Sequence, residues 1–192
     1  ATLYLLNSSG ILFGPSGEFD TASVALATAD RLRFDAGIFA TSPQSPDTPG
    51  IECCAGEPIA FEFDGASSAR IDFDGRAEGQ KALYRWEDGG SLQIVASEIR
   101  VEGTDLQTEG GTLYFSAVGS NAGSIPLGLS GDFLAPPVQP EAGAIEVSDG
   151  SLLSTLATGN SNGRVVLRAG QLVFEDSSGI EAGGDGQGVA ID

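Results

Sequence analysis

A short apolar segment recurs along the chain at intervals of slightly more than twenty residues. Residues 90–96 (Gly-Ser-Leu-Gln-Ile-Val-Ala) are followed 21 positions later by residues 111–117 (Gly-Thr-Leu-Tyr-Phe-Ser-Ala). Two similar pairs are Ala144–Val147 with Arg164–Leu167, and Val165–Leu167 with Val189–Ile191. Repeats of this size, each containing short strands, are typical of stacked solenoids. The sequence therefore predicts an all-β fold, a right-handed parallel β-helix (β-solenoid) in which residues 1–192 form a single domain.

Apolar and polar residues alternate within these repeats, as expected for strands with one face in a core and the other in water. A β-helix strand keeps this alternation although it pairs in parallel, because only one of its faces points inside. The predicted inward-facing pairs are Leu92/Ile94, Ile99/Val101, Leu113/Phe115, Ile145/Val147, Val165/Leu167, Leu172/Phe174 and Val189/Ile191. The predicted outward-facing residues are Gln93, Glu98, Arg100, Glu102, Glu146, Arg168 and Glu175.

Two proline-rich stretches interrupt the repeats. Residues 42–58 contain four prolines and residues 133–143 contain three. Since proline has no N–H for a ladder hydrogen bond, neither stretch is expected in a central strand. Both are predicted to be loops that leave the body of the β-helix. Trp86, at the end of the basic and aromatic segment 81–86, is predicted to pack a loop against the β-helix.

The chain opens with two short alternating segments around a polar corner. Leu3 and Leu5 alternate with their neighbours on one side of this corner, and Ile11 and Phe13 do so on the other. The corner itself, Asn-Ser-Ser-Gly at positions 7–10, combines residue types that tolerate left-handed backbone and favour turns. Its asparagine has two interpretations, as a residue that closes the turn or as one that a partner recognises directly.

This opening resembles the haemagglutination-activity domain of two-partner-secreted bacterial exoproteins, the filamentous-haemagglutinin-like family. The family has an Asn-Pro-Asn-Gly corner between two short strands. The residues that hold the same relative places here are Asn7, Gly10, Ile11, Phe13, Gly14 and Pro15. Ser8 and Ser9 replace the proline and the second asparagine. Segments 101–119 and 169–182 resemble repeats that follow the corner in the family.

The resemblance implies a non-catalytic β-helical segment of a longer secreted or cell-surface exoprotein, with an adhesive or surface-structural role. It implies that periplasmic domains of an outer-membrane two-partner-secretion transporter recognise the parent protein, with Asn7, Ser8, Ser9 and Gly10 as the candidate contacts. Host or surface glycans are further partners that it implies. An export signal is expected upstream of Ala1. The family's N-terminal capping strands are absent from the chain, so we expect an exposed sheet edge at each end.

Charge and composition argue against several functional classes. The chain has 9 Lys and Arg against 27 Asp and Glu, a formal net charge of −18, which repels nucleic acid and anionic membranes. No apolar run approaches the ~18 residues that a membrane helix needs. Without histidine, catalytic triads and His-bearing metal sites are excluded. Residues 183–188 are only weakly similar to a calcium-binding repeat, so no metal and no cofactor is predicted.

The two cysteines, Cys53 and Cys54, are adjacent in the sequence. They cannot connect distant segments, and they lack the spacing of metal ligands. Two interpretations remain open for them, a pair of thiols in a loop or a strained vicinal disulfide.

A carbohydrate-active β-helix enzyme, similar to pectin lyases or polygalacturonases, is the alternative function. The carboxylate pairs Asp72/Asp74 and Glu62/Asp64 occupy alternate strand positions, so each pair shares a face with a separation of about 7 Å. That separation suits an inverting glycosidase. Alternating acidic residues also keep a strand soluble, and we expect these carboxylates to face water.

Overall fold

The computed structural model describes residues 1–41, 55–65, 68–76, 81–86, 89–127, 142–156, 163–183 and 189–191. These residues form strands, turns and irregular segments and contain no helix, so the all-β prediction is confirmed. In chain order the strands are β1 Thr2–Leu6, β2 Ile11–Phe13, β3 Ser23–Ala27, β4 Arg31–Ala40, β5 Ala55–Asp64, β6 Arg70–Asp74, β7 Ala82–Trp86, β8 Ser91–Ala96, β9 Glu98–Glu102, β10 Thr104–Thr108, β11 Thr112–Ala117, β12 Ala122–Pro126, β13 Ala144–Ser148, β14 Leu152–Thr155, β15 Arg164–Arg168, β16 Gln171–Phe174, β17 Gly179–Ala182 and β18 Val189–Ile191.

Six parallel strands form the largest sheet, the main sheet, in the order β1-β3-β8-β11-β15-β18. Leu113 of β11 lies beside Leu92 of β8, which confirms the repeat of 21 residues. Val189 of β18 lies beside Val165 of β15, which confirms the repeat of 24 residues. The predicted repeat of residues 144–147 as residues 164–167 is wrong, because β13 pairs with β9 and β16 and belongs to a different sheet from β15.

Two further parallel sheets contain most of the remaining strands. The second sheet has the order β16-β13-β9-β6-β2, and the third sheet has the order β17-β14-β10-β7. From β8 onward the chain enters the main, second and third sheets in turn with β8, β9 and β10, and then returns to the main sheet with β11. The same order recurs from β15 to β18.

Side chains from all three parallel sheets pack into one apolar cluster, the inner core. Pairing in register places side chains of one kind in rows, and one row of the main sheet contains Val24, Leu92, Leu113 and Val165. All four are fully buried. Each such side chain contributes about 1.5–3 kcal/mol through the apolar surface it removes from water, so the rows stabilise neighbouring strands together.

A small antiparallel sheet, the covering sheet, has the order β12-β5-β4 and lies against the other face of the main sheet. Its residues Leu32 and Phe61 pack with Val95 and Tyr114 of the main sheet in a second apolar cluster. The main sheet is therefore buried on both faces. Gln93, predicted to face water, is fully buried here, and its Nε2 donates a hydrogen bond to the carbonyl oxygen of Pro126 at 3.2 Å.

The first predicted loop differs from the structure at its end. Residues 55–58 belong to β5, the central strand of the covering sheet. Pro58 is tolerated there because the register shifts on either side of its partner Phe34, and because the pairing with β12 begins only at Ala60. Residues 42–54 of this loop, and residues 133–141 of the second one, lie outside the described residues.

An aromatic cluster fills one end of the inner core. Phe13 stacks on Phe73 with a ring-centroid distance of 4.7 Å, and Phe19 stacks on Trp86 at 5.7 Å. Trp86 is only 1% exposed and lies in β7, so it is a core residue on which the loop residue Phe19 packs. The hydroxyl of Tyr84 donates a hydrogen bond to the carbonyl oxygen of Gly14 at 2.5 Å. This bond holds the loop between β2 and β3 against the aromatic cluster.

Candidate functional site

The corner at positions 7–10 is a tight turn between β1 and β2. The side-chain oxygen Oδ1 of Asn7 accepts a hydrogen bond from the backbone N–H of Ser9 at 3.0 Å, and the N–H of Gly10 donates to the carbonyl oxygen of Asn7 at 3.1 Å. The N–H of Asn7 donates to the carbonyl oxygen of Ala27 at 3.0 Å, which joins the corner to β3. Asparagine therefore closes the turn, as one of its two predicted interpretations required.

Gly10 has a backbone geometry that other residues adopt only with strain. Its φ is +107°, and a Cβ atom at this position would lie 3.0 Å from the carbonyl oxygen of Arg70. The fourth residue of the corner is thus required to be glycine by both its φ and its neighbour. Asn7 and Ser9 are exposed, whereas Ser8 and Gly10 are half-buried.

An open groove of about 620 Å³ lies beside the corner. Its lining residues are Ser8, Ser9, Gly10, Ile11, Leu12, Ser68, Ala69, Arg70, Asp72 and Glu98. The guanidinium of Arg70 lies 2.6 Å from the Asp72 carboxylate, which raises the pKa of Arg70 above its usual value. The sequence did not predict that Arg70 and Glu98 lie beside the corner. They are about sixty and ninety residues away from it along the chain, and none of the repeats paired their strands with β2.

The strands on both sides of the corner end their sheets. β1 pairs only with β3, and β2 pairs only with β6, among the described strands. Leu3 and Leu5 continue the inner-core rows of Val24 and Leu26, yet they are 42% and 37% exposed. Leu12, on the outer face of the second sheet, is 70% exposed. The corner therefore lies between two sheet edges with backbone N–H and C=O groups available for pairing.

The four carboxylates of the alternative enzyme hypothesis all form ion pairs with arginines. Asp72 pairs with Arg70, and the other three pairs are Asp74 with Arg76 at 3.1 Å, Glu62 with Arg33 at 3.3 Å and Asp64 with Arg31 at 2.8 Å. Asp64 is exposed, and Asp72 and Asp74 are half-buried on the outer face of the second sheet. Because the arginines occupy these carboxylates, no observation favours the glycosidase hypothesis.

Glu102 lies in the most crowded group of charges in the described part of the chain. Its side chain is only 7% exposed, although the sequence predicted it to face water. Arg76 and Arg100 approach it at 2.5 Å and 2.8 Å, and Asp149 forms a side-chain hydrogen bond with it. Burial raises the pKa of Glu102, and the two arginines partly offset that shift. Arg76 also lowers the pKa of Asp74, first through its side-chain hydrogen bond.

The remaining candidate residues give no metal or thiol site to describe. No group of three or more His, Cys, Asp or Glu side chains is arranged to hold a metal ion within the described ranges. Cys53 and Cys54, and residues 184–188 of the segment compared with a calcium-binding repeat, lie outside the described residues. Over the same described part, no helix is long and apolar enough to cross a membrane.

Comparisons of the chain with models of protein families, with curated proteins and with solved structures found no match. A functional assignment therefore depends on the corner, on the sheet edges beside it and on the order in which the chain visits its sheets.

Proposed function

We propose that this chain is a length of right-handed parallel β-helix from a secreted or cell-surface exoprotein, with an adhesive or surface-structural role and no catalytic activity. The order of the strands supports this proposal most directly. From β6 onward the chain passes through the second, third and main sheets in turn and adds one parallel strand to each, with β12 of the covering sheet inserted once. A right-handed path is the one that crossovers between parallel strands strongly favour.

The rows of the inner core support the same proposal. In the second sheet Ile11, Ile71, Ile99 and Ile145 lie side by side through four successive strands. No single turn of chain could bury such residues alone, so stability would come from stacking one turn on the next. A rod built in this way suits a protein that extends from a cell surface, and it needs no catalytic group.

The exposed corner supports a role in export of the parent protein. Asn7 and Ser9 face solvent between two sheet edges, and an exposed edge is a natural place for another protein to add a strand. We propose that periplasmic domains of an outer-membrane transporter recognise Asn7–Gly10 in this setting. Glycans of a host or a cell surface are the proposed ligands of the exported protein.

The export role is tested by binding between the full-length parent and the purified periplasmic domains of its transporter. Asn7→Ala and Gly10→Ala should each weaken the affinity by about tenfold, which corresponds to ~1.4 kcal/mol. Asn121→Ala, in a turn outside this corner, is the matched control and should bind as the unchanged protein does. Unchanged affinity in both corner variants would remove the recognition role and leave the proposed architecture untouched.

The β-helical stacking is tested with paired cysteines in a Cys53→Ser, Cys54→Ser background. Arg100 and Glu146 are direct partners on the outer face of β9 and β13, so their Cα atoms are about 5 Å apart, within disulfide range. Arg100→Cys with Glu146→Cys should form a disulfide under mild oxidation. Arg100→Cys with Ser124→Cys joins the second sheet to the covering sheet and should stay reduced. Failure of the first pair to close would contradict the stacking.

A further inference from the structure

Two carboxyl groups, those of Glu102 and Asp149, meet where neighbouring strands of the second sheet end. Glu102 is the last residue of β9, and its register partner in β13 is Ser148, which directly precedes Asp149. The backbone N–H of Gly103 donates to the carbonyl oxygen of Ser148 at 3.2 Å, so the two chain segments are in contact here. Asp149 has a left-handed backbone with a φ of +55°, in the turn that leads from β13 to β14.

Acidic groups outnumber basic groups around Glu102. Arg76 lies 3.1 Å from Asp74 and 4.0 Å from Asp149 and also pairs with Glu102, so three carboxyl groups share one guanidinium. Arg100 is the second cation of this cluster and pairs with Glu102. In the described part of the chain the charged neighbours of Glu102 come from β6 and the residues after it, from β9 itself, and from β13 and its turn: Asp72, which Arg70 balances, Asp74, Arg76, Arg100, Glu146 and Asp149. With Asp72 balanced, four carboxyl groups face two guanidinium groups, which leaves an excess of two negative charges at full ionisation.

The hydrogen bond between the side chains of Glu102 and Asp149 requires a proton. An ionised carboxylate only accepts hydrogen bonds, so one of two bonded carboxyl groups must carry a hydrogen. The Glu102 side chain is only 7% exposed, and its burial, followed by the hydrogen bond and the charge of Asp149, raises the pKa of Glu102 against the effect of the two arginines. Two carboxyl groups in such contact titrate together, so the proton belongs to the pair.

We propose that Glu102 and Asp149 share one proton and form a pH-sensitive link between the chain segments that follow β9 and β13. With the proton bound, a hydrogen bond joins the two segments. When the proton is lost to solvent, two carboxylates remain and repel each other. Because the pKa of Glu102 is raised in the folded chain, the link stabilises the fold fully at pH values below the pKa of Glu102 in the unfolded chain, and this contribution is lost as the pH rises through the higher pKa of the folded chain. Asp74, whose pKa is lowered, changes stability in the opposite direction.

NMR of the side-chain carboxyl carbons, followed as the pH is raised, tests the shared proton in the full chain. The signals of Glu102 and Asp149 should change at the same pH. In Asp149→Asn the amide donates to Glu102 without a bound proton, so the Glu102 signal should change at a lower pH. Asp176→Asn is the matched control, because Asp176 has a φ of +53° in the turn after β16, and it should leave the Glu102 signal unchanged.

Urea unfolding at several pH values tests the effect of the link on stability. Asp149→Asn should be more stable than the unchanged chain at neutral pH and similar to it in mild acid, because its hydrogen bond needs no proton. Asp149→Gly keeps the left-handed backbone but removes the bond, so it should raise the unfolding equilibrium constant about tenfold in mild acid only. Signals of Glu102 and Asp149 that change at separate pH values, or an effect of Asp149→Gly that is equal at every pH, would overturn the proposal.

Discussion

Truncation of Phe73 is the most direct test of the inner core. Phe73 is fully buried in β6, stacks on Phe13 and meets Tyr84 edge-on with a ring-centroid distance of 5.4 Å. It lies in register between Phe13 of β2 and Val101 of β9. Phe73→Ala therefore removes a ring that contacts two neighbouring strands and the third sheet at once.

The expected loss of unfolding free energy is about 4 kcal/mol. Phenylalanine-to-alanine changes in closed cores cost about 3–5 kcal/mol, since they combine lost burial with the cavity left behind. Two aromatic contacts of this geometry contribute about 0.5–1.5 kcal/mol each within that loss. A domain of ordinary stability, about 5–15 kcal/mol, would lose a large fraction of its total.

Urea unfolding followed by the fluorescence of Trp86, the only tryptophan, gives the measurement. Trp86 is buried in the same aromatic cluster, so its emission reports on this region directly. Leu12→Ala, in the neighbouring β2 but 70% exposed, is the control and should change stability by about 0.5 kcal/mol or less. A loss below about 1.5 kcal/mol for Phe73→Ala, or an equal loss for Leu12→Ala, would refute a closed core here.

Three smaller predictions concern single positions. Gly10→Ala should lower the free energy of unfolding by about 1–3 kcal/mol in the same urea assay, because the φ of Gly10 is positive. Gly14→Ala is the control and should leave stability nearly unchanged, since a Cβ atom at Gly14 would meet no atom within 4 Å. Gln93→Ala should lower the free energy of unfolding by about 2 kcal/mol, because it leaves the carbonyl oxygen of Pro126 without its side-chain donor. The same change should speed amide hydrogen exchange in β12. Unchanged exchange would show that this hydrogen bond does not hold the covering sheet in place. Arg76 lowers the pKa of Asp74 in the folded chain. The ionised carboxylate therefore contributes its full stabilisation at pH values above the pKa of Asp74 in the unfolded chain, and this contribution is lost as the pH falls through the lower pKa of the folded chain. Asp74→Asn should therefore be less stable than the unchanged chain at neutral pH and equal to it in strong acid, and a difference independent of pH would contradict the ion pair.

Much of the strand pairing could be predicted where repeats follow one another closely. Residues 90–96 and 111–117 are joined by one turn of chain, so their sequence spacing equals their spatial spacing, and the predicted register is the observed one. β3 and β8 are also neighbours, but Val24 and Leu92 are 68 positions apart because the covering strands and β6 and β7 intervene. A search for a fixed period cannot find such a pair, since an insertion changes the spacing without changing the fold.

The candidate site was predictable only in its local part. The turn at positions 7–10 depends on side-chain and backbone bonds between residues at most three apart, and these follow from residue type. The groove beside it is formed by residues from β2, β6 and β9 that only parallel pairing brings together.

The sequence by itself determined the all-β class, the alternation of strand faces and the glycine corner at Gly10. These depend on the two-residue period of strands and on local backbone sterics. Only the tertiary structure decided what covers each face. Gln93 has the polar character of an outward residue, yet the covering sheet buries it, and Glu102 is buried beside two arginines that pair with it. Alternation distinguishes two faces of a strand but carries no information about the distant segment that will pack on them.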